Sequence, residues 1–144
     1  MTSRRAAGRP DPARQTPQRR AIRRAFEAAG RPLAPEECLA RARREVPRLG
    51  LATVYRNLRR LVDEGCLRPV ELPGVPARYE LPRERHHHHF HCRACDGVFE
   101  VDDCPGGFGA LAPGGFRLEG HEVILYGLCA GCAGSGAAAV GTSR

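Results

Sequence analysis

"GLATVYRNLRRLVDEG", residues 50–65, carries two patterns in one helix-length segment. Val54, Leu58, Leu61 and Val62 recur at three- and four-residue spacings, which puts them on one face of an α-helix. The opposite face carries Thr53, Tyr55, Arg56, Arg59 and Arg60, and Gly65 closes the segment. Such a helix can pack one side on a core and offer guanidinium and phenol groups to a polyanion on the other.

Two shorter helices precede it. Thr16 is placed to cap the first and Pro17 to open it, with Ile22, Ala25, Phe26 and Ala29 inward and Gly30 as the stop. The second starts at Pro35, turns Leu39, Ala42 and Val46 inward, and stops at Pro47. Downstream, "CLRPVEL" and "ARYEL" flank "PGVP", which reads as two strands around a turn. Three helices, a short gap before the third, and a hairpin predict a winged helix-turn-helix.

From His86 the periodicity changes. "HHHHFHC", "GVFEVDD" and "HEVILYG" alternate, or are rich in β-branched and aromatic residues, as strands are. The Gly- and Pro-rich "CPGGFGALAPGGF" between the last two leaves room for a short helix around Phe108–Leu111. The expected fold is therefore α+β, with a winged-helix domain over 14–82 and a small α/β metal-binding domain over 83–133. Residues 1–13 read as a flexible basic arm and 134–144 as a disordered tail.

Charge divides the same way. Residues 1–85 hold 20 Arg against 10 acids, and residues 86–144 hold 3 Arg against 6; there is no Lys. The basic half calls for a polyanion, most simply nucleic acid. No apolar run reaches membrane-spanning length and the N-terminus lacks a secretory pattern, so a cytoplasmic protein is expected, with thiols read as metal ligands before disulfides.

Cys92-x-x-Cys95 and Cys129-x-x-Cys132 have the spacing of two zinc knuckles, and together they can complete a tetrahedral, closed structural Zn(II) site. Cys38 and Cys66 read as small core residues. Cys104 reads either as a turn thiol or as an extra ligand. In an extended 86–91 segment, His86 and His88 face one way and His87 and His89 the other, giving one chelating pair per face, with His91 as a possible spare. Glu80, Glu100, Asp102, Asp103 and His121 are further donors. On the third helix, Tyr55 and Arg56 suit base edges, while Arg59 and Arg60, with Arg19, Arg20, Arg23 and Arg24, suit phosphates.

"GLATVYRNL", then "HHHHFHC", then the two Cys-x-x-Cys pairs resembles the ferric uptake regulator family of bacterial metal-dependent repressors, from about Arg14 to Cys132. The resemblance implies a homodimer that binds AT-rich inverted repeats of double-stranded DNA, the second domain dimerising. It assigns Cys92, Cys95, Cys129 and Cys132 to structural zinc; Glu80, His87, His89 and Glu100 to a regulatory site at the hinge; and His86, His88 and His121 to a second site. It assigns Tyr55 and Arg56 to base contacts and Arg14 to the neighbourhood of the arm position that reaches the minor groove; Arg19 and Thr53 complete the expected DNA-binding set. Two departures stand out. "GRPLAP" supplies no His before the second helix, and no acid stands near Gly107, where Asp103 or Cys104 would have to substitute. The regulatory ion implied is Zn(II), favoured by histidine density, or Fe(II), favoured by Glu80 and Glu100; manganese and peroxide sensing fit less well. A metallohydrolase or a metal buffer would leave the Tyr55–Arg56 helix without a task, so no enzymatic activity is expected.

Overall fold

The computed structural model describes residues 15–134. The expected arm with Arg14, and the expected tail beyond Gly134, lie outside them. The chain forms two compact units that divide between Arg83 and Glu84.

The first unit opens with α1, Pro17–Ala29. Thr16 Oγ1 accepts from the Arg19 amide at 3.2 Å, and Gly30 ends the helix at φ 60°, a left-handed conformation that costs glycine nothing. α2, Pro35–Ala42, begins with the Glu37 carboxylate accepting from the Ala34 amide at 2.9 Å. It ends four residues short of Val46; the chain goes on in turns over 43–45, with the Val46 amide donating to the Ala42 carbonyl at 3.0 Å. α3 is Leu51–Asp63, with Gly65 at φ 74° just beyond. Ile22, Phe26, Leu33, Cys38, Val54, Leu58, Leu61 and Leu67 fuse into one buried core.

β1, Arg68–Val70, and β2, Arg78–Glu80, form the antiparallel wing in the register Arg68↔Glu80. One feature has no local sequence signal. Leu33 and Tyr79 exchange amide and carbonyl in both directions at 2.9 Å, which ties the wing to the α1–α2 link.

In the second unit β3, His88–Cys92, is central. It pairs antiparallel with β4, Val98–Val101, and parallel with β5, Ile124–Gly127. A 3-10 turn, Phe108–Leu111, lies in the crossover and a short α4, Ala130–Gly134, follows β5. The strands are shorter than expected: His86 and His87 precede β3, and His121 stands ahead of β5 rather than in it. The stretch before β5 is nonetheless tied down, since the Val123 amide donates to His88 Nδ1 at 3.1 Å and its carbonyl accepts from the His89 amide at 3.2 Å. Leu125 and Tyr126 on the edge strand β5, with Leu111 and Phe116 in the crossover, leave apolar surface exposed.

Candidate metal centres and nucleic-acid face

The two Cys-x-x-Cys pairs converge. The sulfurs of Cys92, Cys95, Cys129 and Cys132 all lie within 4.8 Å of one another, and Cys95 and Cys129 are 3.9 Å apart. A tetrahedral zinc with bonds of about 2.3 Å sets its sulfurs about 3.8 Å apart, so the group fits that ion. Local structure holds it open. Asp96 takes the left-handed φ of 58° that turns the first knuckle, and a Cβ on Gly97 would stand 3.2 Å from the Cys95 sulfur. Burial pushes the Cys92 thiol up, but amide donors from Cys129, Cys95 and Ala94 outweigh it and bring it down to about 6. The neighbouring thiols of Cys129, Cys92 and Cys95 push Cys132 up to about 12. Four thiols this close cannot all ionise without a cation between them, and the group could hold a metal ion.

The second cluster has three imidazoles and a thiol. His86 Nε2 is 3.1 Å from both His88 Nε2 and His121 Nε2, and Cys104 Sγ is 3.2 Å from His121 Nε2. All four donors lie within 4.8 Å of one another. Phe108 lies against the His121 ring, centroids 4.4 Å apart. Burial, then the neighbouring imidazoles His86 and His121, lower the pKa of His88 and so favour the neutral ring that a metal requires.

On the other parity, His87 and His89 place their ring centroids 5.1 Å apart. His87 Nδ1 lies 3.3 Å from the Arg85 carbonyl, which orients the ring. Glu100 stands directly across the β3–β4 ladder from His89, so the two side chains share a face. Glu80 closes β2 in the first unit, 3.6 Å from the Arg68 guanidinium.

In the first unit, α3 turns Tyr55, Arg56, Arg59 and Arg60 outward. With Asp63 and Tyr79 they line an open cleft of about 310 Å³. Thr53 Oγ1 accepts from Arg56 at 3.0 Å and its carbonyl from Asn57 at 2.9 Å, which steadies the exposed guanidinium on the helix.

Residues 11–126 match the ferric uptake regulator family. The chain belongs to that family. The ferric uptake regulation protein of Bordetella parapertussis is 37% identical over 87 residues, 58% of this chain and 63% of its own. The transcriptional regulator FurA of Mycobacterium bovis is 36% identical over 90 residues, 60% of this chain and 61% of its own. The match thus spans about three-fifths of the length of these relatives. A zinc-bound manganese uptake regulator of solved structure superposes with a TM-score of 0.72 at 29% identity, over 81% of this chain and 90% of that one. No helix among the described residues is long and apolar enough to cross a membrane.

Within this ferric uptake regulator fold, three expectations need correction or completion. Arg19 is not available as an outward-facing phosphate ligand: it is buried, and its guanidinium makes a two-point ion pair with Glu64. His91 is not a spare ligand, because its Nε2 lies 3.1 Å from the Asp96 carboxylate and it joins neither cluster above. Cys104, readable either way in the sequence, joins the histidine cluster, whereas Asp103 does not. Two residues on from Cys104, Gly106 and Gly107 take left-handed backbone, at φ 70° and 74°. Arg14 lies outside the described residues.

Proposed function

We propose that the chain is a metal-responsive, DNA-binding transcriptional repressor that controls metal homeostasis, with zinc uptake as its favoured target. One observation carries the reading. A single short chain joins an arginine-rich recognition-helix face to donor clusters with metal-ligand geometry. The relatives named as a ferric uptake regulation protein and a transcriptional regulator support a regulator rather than an enzyme.

In this reading a homodimer binds an AT-rich inverted repeat. Tyr55 and Arg56 meet base edges, with Thr53 beside them on the DNA face; Arg59 and Arg60 meet phosphates, and Arg14 belongs to the arm position expected to reach the minor groove. The zinc-bound regulator of similar fold supports a role for zinc, and the relatives named for ferric uptake keep Fe(II) as the alternative. Cys92, Cys95, Cys129 and Cys132 hold structural Zn(II).

Glu80, His87, His89 and Glu100 are the regulatory set. When bound, a divalent cation supplies positive charge and fixed ligand directions. Glu80 ends the wing and His87 and His89 open the next unit, so ligation by all of them restrains the linker between. His87 and His89 contribute neutral rings, and Glu80 and Glu100 contribute negative charge that offsets the cation's. Only ligands that bind the DNA-competent arrangement better shift the population toward it.

The test is fluorescence anisotropy of DNA from the protein's own upstream region, with structural zinc retained and free Zn(II) or anaerobic Fe(II) titrated. Tight, salt-sensitive binding triggered at much lower free Zn(II) than Fe(II) identifies a zinc regulator; the reverse order identifies an iron regulator. Replacing His87 and His89 with Ala should leave a folded dimer whose DNA binding ignores metal. A normal metal response from that variant would sink the hinge assignment.

A further inference from the structure

We propose that Cys104 completes a closed centre of three nitrogens and one sulfur with His86, His88 and His121, and that this centre selects Zn(II) over Fe(II) and Mn(II). The inference concerns the second metal site of the regulatory reading and rests on that reading for its biological role, but not for its chemistry.

Three separate segments build the centre. His86 lies just before β3 and His88 opens it, Cys104 comes from the loop after β4, and His121 from the approach to β5. Cys104 would be an unremarkable loop thiol but for its 3.2 Å approach to His121, whose ring the Phe108 ring lies against. Zinc bonds of about 2.0–2.1 Å to nitrogen and about 2.3 Å to sulfur imply donor separations of about 3.4–3.6 Å in a tetrahedron. The observed contacts of 3.1, 3.1 and 3.2 Å are a few tenths of an ångström tighter. Small side-chain rotations open them that far.

Donor type then decides the ion. No carboxylate belongs to this cluster among the described residues. Fe(II) and Mn(II) favour more donors and harder, oxygen-containing sets, whereas borderline-soft Zn(II) accepts four donors of mixed imidazole and thiolate character. The thiolate adds one negative charge to three neutral rings, partly offsetting a divalent ion. All four protein donors are used, so no position is left open for substrate chemistry, and the centre suits storage of conformational information rather than catalysis.

The experiment uses the full chain with one equivalent of zinc kept in the tetrathiolate site and other metals removed. Co(II) is added as a spectroscopic stand-in for Zn(II). The expected result is a tetrahedral visible spectrum with a thiolate-to-cobalt charge-transfer band, both bleached by added Zn(II). Cys104→Ser should remove the charge-transfer band. It should weaken Zn(II) by more than about 100-fold, the upper end of what even outer-shell changes cost, and Mn(II) by less than about tenfold. His121→Ala should weaken Zn(II) similarly.

Absence of the thiolate band in the unmodified protein overturns the proposal without any variant. So does a folded Cys104→Ser protein with unchanged Zn(II) affinity. Anisotropy with operator DNA separates the two readings. Zinc bound as described with DNA binding indifferent to metal sinks the regulatory reading alone. A metal-dependent DNA response without the thiolate band sinks only the Cys104 assignment.

Discussion

Substituting Glu64 should destabilise the first unit more than substituting its partner Arg19. Arg19 is 5% exposed, its Nε has no hydrogen-bond partner among the described residues, and Glu64 accepts from both terminal nitrogens. Removing one side of a fully buried ion pair costs about 3–5 kcal/mol because the other charge is stranded. The Glu64 side chain is 37% exposed, so water screens the pair and reaches part of the stranded group, lowering the expectation for Glu64→Ala to about 2 kcal/mol. Arg19→Met keeps the apolar stem and removes the charge that needs a partner, so its cost should stay below about 1 kcal/mol. Urea unfolding followed by helical circular dichroism reads this unit, because α1, α2 and α3 all belong to it. The same variant tests the DNA face. Each lost phosphate contact lowers the slope of log affinity against log salt by about 0.9, and Arg19→Met should leave the slope unchanged. A Glu64→Ala cost below about 0.5 kcal/mol, the range of ordinary surface changes, would refute the buried pair. A salt slope lowered by about one unit in Arg19→Met would show that Arg19 reaches DNA after all.

Other consequences are as direct. Burial raises the Glu37 carboxyl, but Arg31 at 2.7 Å and the Ala34 amide outweigh it and hold the carboxyl below its ordinary 4.5. With the folded value depressed, its contribution is fully present above pH 4.5 and is lost as pH falls through the folded value. Glu37→Gln should therefore cost about 1 kcal/mol at neutral pH and flatten the acid limb of a stability profile; an unchanged profile would discount the cap. Stripping zinc from the four-cysteine site, or Cys132→Ser, should abolish the strand signal of the second unit while the helical signal of the first persists, since the core of the first unit draws on its own residues alone. Arg56→Ala should cost about 1–3 kcal/mol in operator binding and relax selectivity at one base pair, whereas Arg59→Ala should weaken all sequences alike.

Much of this was legible in the sequence wherever the governing interaction is local. Thr16, Pro17 and Gly30 bound α1 by capping chemistry that spans three residues, and the Val54, Leu58 and Leu61 stripe reports its own burial. The pairing of His86 with His88 and of His87 with His89 follows from alternation, and survives even though the ladder starts only at His88. What could not be read depends on partners far along the chain. Arg19 looks like any surface arginine until Glu64, 45 residues on, is brought to it. The Leu33–Tyr79 bridge joins a link and a strand that share no periodic signal. Cys104 needed the path of a Gly-rich loop, whose conformational freedom is the reason its course is not encoded in any short pattern.

Ions bound at the proposed centres would be thermodynamically dependent on each other through the central strand. β3 and the two residues before it supply His86 and His88 to one cluster, His87 and His89 to the other face, and Cys92 to the tetrathiolate site. Alternate side chains hang from one backbone, so ligation on one side narrows the torsional freedom from which the other side must choose. The resulting coupling obeys a closed cycle. Whatever factor an occupied His86–His88 cluster applies to the affinity at His87 and His89 is returned unchanged in the opposite direction. Measured at equilibrium, the order of loading drops out, and two ion affinities, each taken with and without the other ion, must give the same ratio.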